Sequence, residues 1–492
     1  MCLPAPGRFS LLAGNVCYAG KVNQSFYFYD LETSGFDPKR QRIMQFAGQR
    51  TDMNLNPVGE PHNILVTLAD DVLPDPGAVM ITGITPQKTH EEGYSEADFL
   101  KILQEEVFTP GTIITGFNSV RFDDEFMRYT LYRNFYDPYE WQWKDGRSRW
   151  DMLDVVRMTR ALRPDGIEWP VDDAGQPTNR LELLTRENGL SHEQAHDALS
   201  DVYALIAVAK LIKDKQPKMF DYLLKTRTKQ EVARIVSADD PQPFVYTSGR
   251  FPKGTLHTTA AIVVGAGAHP GTNIVYDLRH DPTDWATKTV DELKKIRFAP
   301  YELRQTEGFV ALPAKELAIN KCPAVAPLGV LDEAAQTHVV LTLNTVTENL
   351  VKLRHTDLPD KLREVFAADR QFPKGKDVDA QLYDSFMNDG DKPKASAVRA
   401  ATLRDLADFN PHFSDDRLTG LLLRYKARNF AQVLSDTERA DWEVYRTERF
   451  NADLPKFSQE LHRYAATNTS ERDRFLLQEL QLWAESITPV SD

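Results

Sequence analysis

Two carboxylates stand two positions apart in Phe26-Tyr27-Phe28-Tyr29-Asp30-Leu31-Glu32-Thr33-Ser34-Gly35-Phe36. Side chains alternate across a strand, so Asp30 and Glu32 project to the face shared by Phe26 and Phe28. Thr33, Ser34 and Gly35 then end the strand in a turn. Two ionised acids among aromatic rings repel each other unless positive charge lies between them, and oxygen ligands suit a hard divalent cation. A lone D-x-E can also be a solvent-facing acid pair at a strand end. Asp123 follows a later apolar strand at the start of a helix, where an aspartate can equally be a cap. His196 and Asp201 stand five apart at another helix start. Five residues turn a helix by about 500°, so these two converge only if His196 sits at the entering end and Asp201 inside. Taken in order, D-x-E, a later Asp, and H-x-A-x-x-D are the parts of a two-metal phosphodiesterase site. Two ions about 3.5–4 Å apart can clamp an attacking water and a leaving oxygen, and a histidine near neutral pKa can take the water's proton.

A competing pattern overlaps the last motif. His192-Glu193-Gln194-Ala195-His196 matches H-E-x-x-H, which would give zinc to His192 and His196 and the general base to Glu193. Its surroundings disagree. Asn188-Gly189-Leu190-Ser191 is helix-ending and capping chemistry, and the next glutamate downstream is Glu231. A zinc metallopeptidase therefore stands as the alternative.

The elements that must position these groups follow from pattern. Strands are predicted at Phe26–Glu32, Arg42–Arg50, Asn63–Leu68 and Thr112–Phe117, and helices at Glu96–Val107, from about Phe122, and over Met152–Leu162, Asn179–Asn188 and His196–Ile212. Pro74–Thr89, rich in Pro, Gly and Thr, reads as loop. Strands alternating with helices imply an α/β domain with a mixed sheet over 24–216. Asp239-Asp240-Pro241-Gln242-Pro243 is a boundary loop, and short β-like runs follow at Thr255–Val264, Asn273–Leu278, Phe309–Leu312 and His338–Leu343, with a helix near Val290–Ile296. These predict a small β-rich domain over 217–355. Residues 356–492 turn helical again, with a capping box at Ser435-Asp436-Thr437-Glu438. Residues 1–23 are an extension; their apolar run is too short and broken for an export signal.

At 492 residues and a formal charge of −13, the chain is too acidic for a protein coated in nucleic acid by global charge. A local basic groove remains open, since fields fade beyond about 10 Å at ordinary salt. Cys2, Cys17 and Cys322 make neither a disulfide framework nor a metal knuckle, and they suit a reducing cytoplasm.

The acids together resemble the DEDDh 3′→5′ exonucleases, and further segments resemble the bacterial exonuclease I family in particular. They are Val120-Arg121-Phe122-Asp123-Asp124-Glu125, Tyr132-Arg133-Asn134-Phe135-Tyr136-Asp137-Pro138-Tyr139, Ala161-Leu162-Arg163-Pro164, Ile319-Asn320-Lys321-Cys322-Pro323, Asp379-Ala380-Gln381-Leu382-Tyr383 and Tyr425-Lys426-Ala427-Arg428-Asn429-Phe430. The resemblance implies a ribonuclease-H-like exonuclease domain, a small β-barrel-like (Src-homology-3-like) domain and an all-α C-terminal domain forming a clamp. It implies degradation of single-stranded DNA from the 3′ end to 5′-mononucleotides, in DNA repair and recombination, with two Mg²⁺ ions for which Mn²⁺ can substitute. By position, Asp30, Glu32 and Asp201 would hold metal, Asp123 would support the second ion, and His196 would be the base. The implied partners are single-stranded DNA and the acidic C-terminal tail of single-stranded DNA-binding protein, for a cytoplasmic monomer. A non-catalytic strand-binding clamp is the remaining alternative.

Grip on a single strand needs stacking platforms and cations. From Phe122 to Trp150 there are ten aromatics with arginines interleaved. Arg128, Tyr139, Trp143 and Arg157 are the candidates there, with Arg180 nearer the scissile phosphate and Lys229 in the basic stretch before the β-rich domain. Glu32 counts among the catalytic, metal-holding and substrate-binding residues alike.

Overall fold

The structure is a computed structural model that describes residues 23–191, 197–367, 375–468 and 470–489. Its first sheet has strands β1 (Ser25–Thr33), β2 (Ile43–Thr51), β3 (His62–Leu65), β4 (Thr112–Gly116) and β5 (Ser148–Asp151) in the order β3-β2-β1-β4-β5. β1 pairs antiparallel with β2 and parallel with β4, so the sheet is mixed and β1 is its centre. A central strand is buried on both faces, which explains its near-continuous aromatic run. Phe26 and Phe28 pack with Trp150 against helices Met152–Leu162 and Ala198–Lys215, while Tyr27, Tyr29 and Leu31 pack with Phe46, Phe99 and Phe126 on the other face. Full burial of each such side chain is worth roughly 1.5–3 kcal/mol. The strand that carries the acids is therefore firmly anchored on both faces.

The second sheet comprises β6 (Phe244–Thr247), β7 (Thr258–Ala266), β8 (Thr272–Asp277), β9 (Ala314–Ala318) and β10 (Ala324–Pro327), all antiparallel in the order β10-β6-β7-β8-β9. The helix Val290–Arg297 is inserted between β8 and β9, close to its predicted position. The C-terminal region is helical, and the capping box at Ser435 and Glu438 opens the helix Asp436–Thr467. That region docks on the first domain: Leu476, Leu480 and Trp483 pack with Val72 and Met80, and Trp483 Nε1 donates to the Val72 carbonyl at 2.9 Å.

Three expectations are corrected. Pro74–Thr89 is largely helical, as Pro76–Thr82 and Pro86–Glu92. Asp75 and Thr85 cap their N-termini, each proline sits in a first turn, and Gly83 takes the left-handed end position (φ 74°), so the residues that suggested loop are caps. Phe309–Leu312 is not a strand; it leads into β9. His338–Leu343 is the link between helices Glu333–His338 and Leu343–Arg354, its buried Val339 and Leu341 packing into the shared core. Short apolar runs cannot by periodicity tell such a link from a strand. Among the described residues, no helix is long and apolar enough to cross a membrane.

Candidate active site

Asp30 and Glu32 leave the last turn of β1 on one face, and a register shift after Glu32 marks where the strand bends away from β2. Asp201 lies in the first turn of the helix Ala198–Lys215, whose N-cap is Asp197, with its carboxylate accepting from Ser200 N at 3.0 Å. Carboxylate oxygens of Asp30, Glu32 and Asp201 all lie within 4.8 Å of one another. Burial and the Asp201 charge push Asp30 up to about 8, and burial with Asp30, Asp201 and Asp197 pushes Glu32 up to about 9. Among the described residues no arginine or lysine forms an ion pair with Asp30 or Glu32. Three carboxylates whose oxygens converge this closely are a donor set that fits a divalent cation.

Asp123 is at the first position of the helix Asp123–Arg133 and is buried. It does not act as the cap; Phe122 stands at that position and makes no capping bond. Burial and the Asp30 charge raise its pKa well above the usual range. Its neighbour Asp124 has the opposite surroundings: it accepts from Tyr29 Oη at 3.0 Å and pairs with Arg149. Asp151, which sequence reasoning passed over, builds the approach to Asp123. It accepts from the backbone N–H groups of Asn118 at 2.9 Å and Val120 at 3.2 Å, and it caps its own helix through Leu153 N at 3.0 Å. An aspartate directly before an apolar helix was its signal.

Asp30 and Asp201 open into a cavity of about 660 Å³ that Arg157 and Arg180 also line. Arg157 is held by Asp154 at 2.7 Å, and Arg180, more exposed, pairs with Glu182. The other predicted grip residues lie elsewhere. Arg128 is buried, pairs with Glu125 at 2.6 Å and lies 5.8 Å from the Tyr139 ring. Tyr139 packs on Phe386 of the C-terminal domain, centroids 5.6 Å apart, and Trp143 is 62% exposed. Lys229 begins the helix Lys229–Ile235, with Gly271 beside its ammonium, and does not line the cavity. His196, and with it the whole H-E-x-x-H segment His192–His196, lies outside the described residues. Sequence reasoning also missed Gly249, Lys253 and His257, which reach the cavity from the β-rich domain.

Matches to known proteins follow the three-part organisation. A family model described as an exonuclease matches residues 27–209, the exonuclease I SH3-like domain matches 227–368, and the exonuclease I C-terminal domain matches 376–487. Exodeoxyribonuclease I of Haemophilus influenzae is 39% identical over 457 residues, covering 92% of this chain and 96% of its own. That of Escherichia coli K12 is 38% identical over 475 residues, covering 95% and 99%. Escherichia coli exonuclease I solved with a dA16 oligonucleotide matches with a TM-score of 0.90 at 38% identity, over 94% of this chain and 100% of the other. Exonuclease I of Methylocaldum szegediense, a moderately thermophilic protein, matches at 0.88 with 40% identity, over 94% and 100%.

Proposed function

The chain belongs to the exonuclease I family and is a 3′→5′ exodeoxyribonuclease acting on single-stranded DNA, and we propose that it releases 5′-mononucleotides by two-metal-ion hydrolysis with a histidine general base. The observation that carries the mechanism is the convergence of carboxylate oxygens of Asp30, Glu32 and Asp201 within 4.8 Å of one another. Divalent ions, Mg²⁺ with Mn²⁺ able to substitute, supply there the positive charge that lowers the pKa of water and meets the charge growing on the leaving oxygen. Asp30, Glu32 and Asp201 hold them, and Asp123, raised by the same crowding, supports the second. His196 takes the proton of the attacking water. Glu32 faces the terminal nucleotide as well as the metal, and Arg180 and Arg157 neutralise the strand's phosphates where they line the cavity. Tyr139, Trp143 and Arg128 carry the strand farther out by stacking and charge, with Lys229 a peripheral contact. The setting is DNA repair and recombination, with the acidic tail of single-stranded DNA-binding protein as a partner.

The test is direct. End-labelled single- and double-stranded DNA and RNA are incubated with Mg²⁺ and the products resolved by length. Stepwise shortening of single-stranded DNA from its 3′ end, with 5′-mononucleotides as product, supports the reading; release of oligonucleotides or indifference to Mg²⁺ contradicts it.

A further inference from the structure

The cavity holding Asp30 and Asp201 is completed by a second domain. The link between β6 and β7 brings Gly249, Lys253 and His257 to it, beside Arg157 and Arg180. The link is seated closely. A Cβ at Gly249 would lie 2.8 Å from an Arg157 guanidinium nitrogen, so a larger residue there would displace the end of the Arg157 side chain. Lys253 Nζ reaches Asp172 Oδ2 at 3.3 Å, a second contact between the domains. Leu256 and His257 both take left-handed backbone, at φ 50° and 58°. For residues with side chains that conformation costs roughly 1–3 kcal/mol and persists where the surroundings enforce it. His257 Nδ1–H donates to the Phe251 carbonyl at 2.8 Å, which fixes the ring and leaves Nε2 for the cavity.

The charged groups around the ring are Arg157 and Asp154 from the helix Met152–Leu162 and Lys253 from its own link, with Asp30, Asp201, Arg180 and Glu182 elsewhere on the cavity wall. Burial, with Arg157 and Lys253, holds the imidazole below its usual pKa, so the free protein keeps it neutral near pH 7. We propose that His257 and Arg157 form a phosphate subsite across the domain boundary, for a phosphodiester upstream of the one being cut. A phosphate seated there brings the negative charge that a second ring proton, taken from solvent, requires. Nε2–H then donates to a phosphate oxygen in a charge-assisted hydrogen bond. The inference rests on the exonuclease reading of the same cavity and adds a substrate contact to it.

The experiment measures steady-state hydrolysis of oligo(dT) by wild type, His257→Ala and His257→Asn at about pH 6 and about pH 8.5, which bracket an ordinary histidine. The asparagine variant tolerates the left-handed backbone and is too short to reach the phosphate. p-Nitrophenyl thymidine 5′-phosphate serves as a probe that has no upstream phosphate. Both variants are expected to raise KM for oligo(dT) about tenfold at the lower pH, with kcat kept and a much smaller effect at the higher. Turnover of the small probe is expected to stay at the wild-type level. A KM unchanged in either variant, an equal penalty at both pH values, or the same loss on the small probe overturns the subsite. Wild type inactive on both substrates would instead overturn the exonuclease reading, and the subsite with it.

Discussion

Two clusters of acids in this protein, one buried and one half-buried, solve the same problem in opposite ways. Asp71 and Asp379 lie where the exonuclease and C-terminal domains meet, both without solvent exposure. Arg428 pairs with Asp71 at 2.8 Å and with Asp379 at 2.5 Å, Arg449 pairs with Asp71 at 2.8 Å, and Arg42 reaches Asp379 at 3.3 Å. Against the cost of burial, these arginines hold both carboxyls far below the usual range. Burial and the crowding of Arg133, Arg428 and Arg449 in turn push Arg42 down to about 9. The acids at the end of β1 have burial and acid neighbours, and they titrate high. A cluster whose acids are matched by arginines is architecture; one whose acids crowd each other is suited to a metal ion. The same contrast separates Asp123 from Asp124, adjacent in sequence, of which only Asp124 has an arginine.

The largest effect that tests this contrast is on stability. Asp379→Ala takes from Arg428, Arg424 and Arg42 the acid they share, and breaking a buried pair costs about 3–5 kcal/mol, so denaturant unfolding should show a loss of that order. Asp30→Asn removes a carboxyl whose charge its acid neighbours repel, and in metal-free buffer above about pH 8 its midpoint should equal or exceed that of wild type. A stability loss at Asp30 as large as at Asp379 would erase the distinction.

Acid titration sharpens it next. Asp71 and Asp379 have folded pKa values below the unfolded value of about 3.9, so their stabilisation is fully present above that pH. It is lost as pH falls below about 4 toward the folded values. The contribution of Asp71 and Asp379 to the thermal midpoint should therefore fall away below about pH 4, and Asp379→Asn should flatten that limb.

Metal should act on one cluster alone. Mg²⁺ at about a hundred times its dissociation constant should stabilise wild type by about 2.7 kcal/mol, and chelation should reverse the gain. Asp30→Asn should show little of this shift and Asp379→Asn should keep it, as read by thermal melting with and without Mg²⁺.

The smallest effect concerns the grip residues, which divide the same way. Arg128 is already balanced by Glu125, whereas Trp143 stands in solvent. Trp143→Ala should weaken single-strand binding by about 1–3 kcal/mol and leave stability unchanged in fluorescence titration and melting.

Much of the carboxylate cluster was legible because its members sit at short spacings on strongly patterned elements. Asp30 and Glu32 share a strand whose aromatic run marks it as central, and the helix carrying Asp201 shows clear periodicity. The arginine–aspartate cluster was not legible, since Arg42, Asp71, Asp379, Arg428 and Arg449 are far apart in sequence and meet only through domain docking. His257 was hidden for the same reason: its own segment carries no motif, and the cavity gives it meaning. The helices at Pro76–Thr82 and Pro86–Glu92 were masked by capping residues that resemble loop chemistry.

Asp30 is the residue whose loss most directly separates a metal ligand from a structural acid. Mg²⁺-dependent release of mononucleotides from a labelled single strand should be compared for wild type and Asp30→Asn, with folding of both verified by melting. Loss of an ion ligand removes several kcal/mol of charge stabilisation, so the variant should be slower by about 10³-fold or more. A folded Asp30→Asn protein that degrades the strand at the wild-type rate would contradict the assignment of this cluster as the catalytic metal site.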